Sequence, residues 1–148
     1  MKIRVLLPVL TLALALPLGL RAADDEPQTE LGSKMEKLSG AFRALRRQID
    51  DASKNADSLA KVATIKENAM AASKFEPALK AKKPESEQAK FVASFQAKMK
   101  DFIGMIDKLE AALKANNNAE ASKIAAQMND TQKEAHSEFK AKGGKKKG

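Results

Sequence analysis

The 148-residue chain has no cysteine, no tryptophan and no tyrosine, and it carries a single histidine. Without cysteine it can form no disulfide, no thiolate metal site and no covalent haem attachment through a C-x-x-C-H segment. A lone histidine also excludes a di-metal bundle, which needs two Glu-x-x-His motifs. Aromatic residues make up 4% of the chain and β-branched residues are scarce, which argues against a sheet protein. Gly32, Gly40 and Gly104 stand alone inside helical stretches, so no glycine-rich loop is available to cradle a phosphate. No nucleophile motif is present, and the carboxylates scatter among lysines in the manner of solvated helix faces. These absences leave no basis for enzymatic turnover. Alanine, lysine, glutamate, leucine and methionine are abundant instead, and they predict one all-α domain stabilised by packing alone.

The first segment reads as a secretory signal peptide. Lys2 and Arg4 precede an apolar run from Val5 to Leu20, which Pro8 and Pro17 interrupt and which Arg21-Ala22-Ala23 closes. A membrane-spanning helix needs about 20 continuous apolar residues, more than this run supplies. Cleavage is expected after Ala22, giving a signal at 1–22, a polar leader at 23–29 and no transmembrane span in the mature chain. Export to the periplasm follows.

The formal charge of +8 then changes meaning. Lys2, Arg4 and Arg21 leave with the signal, which brings the charge to +5, and Lys142, Lys145, Lys146 and Lys147 sit in a terminal basic tail at 142–148, so the folded part is near +1. A nucleic-acid reading would require a basic face with stacking aromatics or groove-reading elements, and neither is present. The tail is expected to be a disordered, solubilising end.

Periodicity divides the rest. Leu31, Met35, Leu38, Phe42, Leu45 and Ile49 recur at helical steps, which predicts a helix over about 30–53 with Thr29 as its cap. Leu59, Val62, Ile65, Ala69 and Ala72 predict a second helix over 58–75 with Asp57 as cap, ended by Glu76-Pro77. Phe91, Phe95, Phe102, Met105 or Ile106, Leu109 and Leu113 mark a third over 86–115, stopped by Asn116-Asn117-Asn118. Ala121, Ile124, Ala125, Met128, Ala135 and Phe139 mark a fourth over 119–141. Four such stripes joined by short links bury themselves only against one another, as an antiparallel up-down-up-down four-helix bundle at 30–141.

In that topology the start of the first helix and the finish of the last share one end. Met35 and His136 each lie about five residues inside that end, so at 1.5 Å per residue both sit roughly 7 Å below it. The close of the second helix, near Phe75 and Pro77, and the opening of the third, with Phe91 and Phe95, lie at the same end. A thioether and an imidazole facing each other beside aromatic walls are the two axial ligands of a low-spin electron-transfer haem. Met70 is a second thioether at this end, placed less directly opposite His136.

The run Leu31-x-x-x-Met35-Glu36-x-Leu38, the Pro77 loop, Phe91-x-x-x-Phe95 and Ala135-His136-x-x-Phe139-Lys140 resemble the cytochrome b562 family over about residues 30–141. The resemblance implies one non-covalent haem b, its iron held by Met35 and His136. It suggests Leu38, Phe42, Pro77, Phe91 and Phe95 as haem-contacting walls and Lys140 as a propionate partner. The related cytochromes c-prime attach haem through two cysteines at positions occupied here by Gln132 and Ala135, so their covalent chemistry is excluded. The expectation is an exported, monomeric b-type cytochrome passing single electrons to a redox partner that the sequence does not identify. The alternative is a haem-free periplasmic bundle that binds a protein or envelope partner.

Overall fold

A computed structural model describes residues 29–140; the expected signal peptide, the leader before Thr29 and the basic tail lie outside the described residues. Four helices form an all-α bundle: α1 (Glu30–Arg46), α2 (Asn55–Ala72), α3 (Glu85–Lys114) and α4 (Asn118–Phe139), with no strand among the described residues.

Local chemistry sets each boundary. The Thr29 hydroxyl accepts from the Gly32 amide at 3.0 Å, and Glu30 in the first turn adds negative charge where the helix dipole favours it. α1 stops at Arg46, short of the Ser53 that the periodicity predicts. Residues 47–50 form turns and Ala52–Lys54 a short 3-10 segment. Gln48 draws the chain back, donating to Asp57 Oδ2 at 2.7 Å and to Ser58 Oγ at 3.1 Å, while Ile49 keeps its place in the core. Asp57 therefore serves not as the cap of α2 but as a first-turn acid, also bonded to Lys61. α2 ends at Ala72, before the Phe75 expected of it. Pro77 and Pro84 bracket a 3-10 segment at Ala78–Lys82, where the sequence suggests only a loop. Between α3 and α4 the Asn117 amide bonds Ala112 O and the Asn116 amide bonds Leu113 O. That pairing is a Schellman motif, and Asn116 takes the left-handed backbone, φ 52°, that it requires.

The predicted stripes meet in one core. Leu38, Phe42 and Leu45 of α1 pack with Val62 and Ile65 of α2, Phe102, Ile106 and Leu109 of α3, and Ile124 and Met128 of α4. Each large side chain removed from water contributes roughly 1.5–3 kcal/mol before the entropy cost of ordering it. Register follows from the cross-helix bonds. Asn55 bonds near Leu113 while Lys66 reaches Asp107 and Glu110, and Ser94 bonds Glu138 while Met105 meets Thr131. Ser39 pairs with Gln132 and Arg46 with Asn129. In each series one number rises as the other falls, which is antiparallel neighbouring. The start of α1, the finish of α4, Pro77 and the opening of α3 consequently share one end.

The opposite end is locked by asparagines. The Asn55 amide donates to Asn116 Oδ1 at 2.9 Å and Asn118 Oδ1 at 3.1 Å, and Asn118 returns a bond to Asn55 Oδ1 at 2.8 Å while donating to Ile49 O at 2.6 Å. Both tight turns are tied together there, and Asn55 is only 7% exposed. Asn55→Ala removes the bonds that the buried Asn55 amide makes to Leu113 O, Asn116 and Asn118 and is expected to cost about 1–3 kcal/mol, read as a lowered urea midpoint at unchanged slope; an unaltered midpoint would show that the network contributes nothing.

Candidate functional site

At the end away from the asparagines, the bundle encloses a cavity of about 590 Å³. Cofactor and small-molecule sites commonly occupy about 300–1,000 Å³. Met35 and Leu38 line it from α1, Phe95, Met99 and Phe102 from α3, and Ala135, His136 and Phe139 from α4, with Pro77 and Ala78 between α2 and α3. The walls are apolar except for a few groups at the edge. α1 and α4 are the most loosely apposed of the neighbouring helices, and this gap makes room for the cavity. Ser39 and Gln132 bridge the gap, the Gln132 amide donating to Ser39 Oγ at 2.9 Å. Ser39 lies one turn past Met35 and Gln132 one turn before His136, so the bridge forms a sill roughly 6 Å deeper than the pair.

His136 stands in the last turn of α4. The negative end of the helix would favour an imidazolium, yet burial, and then the neighbouring Lys140 ammonium, push its pKa below the ordinary histidine value. The ring is therefore neutral at pH 7, and no described residue hydrogen-bonds it. A neutral imidazole with a free nitrogen lone pair is the form that binds a metal. Met35, partly buried against the core, supplies a thioether to the same cavity.

Three cations surround this apolar space. Arg43, Lys98 and Lys140 line it together with one carboxylate, Glu36. An apolar slot whose margin carries more positive than negative charge suits a flat hydrophobic molecule bearing carboxylates. The donor set also fits haem iron: a soft thioether and a neutral imidazole are known axial ligands.

Of the positions suggested for the walls, Leu38, Pro77 and Phe95 line the cavity, as does Lys140. Phe42 is a core residue that reaches a shallower outer cleft instead. Phe91 does not reach the cavity; its ring lies 5.2 Å from that of Phe139 and backs it, while Phe95 meets the same ring edge-on at 5.3 Å. Met70 is 50% exposed and lines neither space. Sequence reasoning missed Met99 as a wall, although it continues the Phe91, Phe95, Phe102 stripe. It also missed Arg43 and Lys98, whose role depends on the width of the gap and leaves no periodic signal.

The sequence pattern described as cytochrome b562 matches residues 30–140, the whole of the bundle. No curated protein and no solved structure matches the chain. Among the described residues no helix is long and apolar enough to cross a membrane.

The depressed His136 pKa has a consequence for the chain without cofactor. Below the unfolded value of about 6.5 the unfolded chain takes a proton that the folded one resists, so stability present above that pH is lost as pH falls through the folded pKa. The urea midpoint of the cofactor-free chain is expected to drop across this window, and His136→Gln is expected to flatten the drop. An identical pH profile in the variant would exclude His136 as its source.

Proposed function

The chain belongs to the cytochrome b562 family, a family of haem-binding, electron-carrier-type four-helix bundles typically found in the periplasm, and we propose that it is itself an exported carrier of single electrons, binding one haem b without covalent attachment. The single observation that carries the reading is that Met35 and His136 line one cavity from opposite sides of the α1–α4 gap. Met35 and His136 would hold the iron, and the bound group would supply a one-electron ferric–ferrous couple. Two side-chain ligands, Met35 and His136, would leave no open position for oxygen or substrate, which favours a carrier over an enzyme.

The other residues divide the remaining work. Phe95, Phe102, Phe139 and Leu38 exclude water from the faces of the slot, and a dry, apolar setting together with a thioether ligand favours the less charged ferrous state. Neutral His136 keeps its ring nitrogen available without first shedding a proton at pH 7. Lys140, Lys98 and Arg43 supply the charge that meets two propionates, with Arg43 able to bind a carboxylate bidentately. Ser39 and Gln132 fix the spacing across which the ligands face.

Optical titration of residues 23–148 with haem tests the reading. Saturation at one haem per chain with the sharp reduced bands of a six-coordinate site is expected. Met35→Ala and His136→Ala should each lose that spectrum and weaken binding by about tenfold or more, the equivalent of about 1.4 kcal/mol. A helical chain, by circular dichroism, that binds no haem to saturation would overturn the function and favour a haem-free bundle with a protein or envelope partner. A variant that keeps the native spectrum would overturn that ligand alone.

A further inference from the structure

We propose that the outer cleft between α1 and α4 is the surface on which a redox partner docks, and that the partner presents carboxylates there. This cleft, of about 290 Å³, shares the Ser39–Gln132 bridge with the cavity as a common wall. Its charged walls are Arg43, Arg46 and Lys133; no carboxylate lines it. The Phe42 ring gives it an apolar floor over which the Arg46 guanidinium lies at 5.9 Å.

The positive charge survives local pairing. Asp130 sits beside the cleft with its carboxylate 3.1 Å from Lys133 Nζ and within the field of Arg46. That offsets one of the three cations. Arg46 spends one nitrogen on the neutral Asn129 side chain at 2.8 Å, and Arg43 has no ion pair among the described residues. The α2–α3 face differs: Lys66 is matched by Asp107 and Glu110, and Lys114 by Glu110. Unmatched cations around an apolar floor attract an acidic partner and orient it, a role that electrostatics performs better than it adds affinity.

Position gives the cleft its redox meaning. His136 lines both the inner cavity and the outer cleft. A partner seated between α1 and α4 is therefore one imidazole away from the cavity. The redox role of that partner rests on the haem reading; the acidic chemistry of the docking surface does not.

Two measurements on the mature chain separate these claims. In the first, the haem-free, 15N-labelled protein is titrated with a polyaspartate peptide at low salt. Amide shifts are expected around Arg43, Arg46 and Lys133, and they should disappear in the Arg46→Glu, Lys133→Glu double variant. In the second, the haem-loaded protein is oxidised by anionic ferricyanide and by cationic tris(phenanthroline)cobalt(III). The double variant should react about tenfold more slowly with the anion and faster with the cation at low ionic strength, the contrast fading near 1 M salt, where charges more than about 3 Å apart are screened. Arg46→Gln with Lys133→Gln, which avoids new repulsion with Asp130, should move both rates in the same directions by less. Neither residue lines the inner cavity, so the haem spectrum should stay native. A chain that takes up no haem yet shows the localised shifts would overturn the haem reading and leave the acidic-partner surface standing. Shifts confined to the lysine tail, or oxidation rates indifferent to the substitutions in a chain that binds haem, would overturn the docking surface alone.

Discussion

Four amphipathic helices bury their stripes by closing on one another, and between α1 and α4 that closure is carried near the cavity by polar side chains. The Ser39–Gln132 bond spans the gap beside the cavity at 2.9 Å. Apolar side chains long enough to interlock at the level of Ser39 would draw the helices together and fill the space above. A short hydroxyl and an amide instead hold them at a set distance, because a hydrogen bond has a preferred length that packing alone lacks. The cavity that Met35 and His136 both line and the cleft outside depend on that separation. A cavity of this size forgoes the side-chain contacts that a packed core would make at that level.

The closed end compensates through different chemistry. Asn55, Asn116 and Asn118 tie both tight turns together, and Leu45, Ile65, Ile106, Leu109 and Leu113 fill the core close to them almost without exposure. One end is thus over-determined while the other is left adaptable. A site that must admit a large flat molecule belongs at the adaptable end, because local opening there costs fewer buried contacts than opening the asparagine end would.

The helices were legible because burial imposes a period on the sequence, and every stripe from Leu38 to Met128 entered the core. Boundaries were less so. Ile49 satisfies the spacing of α1 whether the chain reaches it as helix or as turns, so period alone could not see that Gln48 leaves the helix to bond Asp57 and Ser58. The triple asparagine was readable as a stop, since asparagine tolerates the left-handed backbone that Asn116 adopts. At the site, Met35 and His136 were accessible through simple depth arithmetic on antiparallel helices. Phe91 was not, because position along a helix does not reveal which of two stacked rings faces the cavity and which stands behind it. Arg43 and Lys98 escaped for a related reason: exposed cations recur all along the helices, and only the finished gap distinguishes those beside it.

The electrostatics of the open end follow from the same geometry. Lys140 caps the end of α4 in extended backbone with its amide bonded to His136 O, which keeps it beside the ring, and its charge joins burial in keeping the imidazole neutral. The charge that disfavours an imidazolium is also the charge that would favour carboxylates at the rim, so proton exclusion and anion attraction share one source. On the outer side, Arg43 lines both the cavity and the cleft. Its guanidinium can therefore turn inward to a bound carboxylate or outward to one on a partner, but not satisfy both in full. A carboxylate inside the cavity and one on a partner compete for Arg43, whereas Arg46 and Lys133 serve the cleft alone.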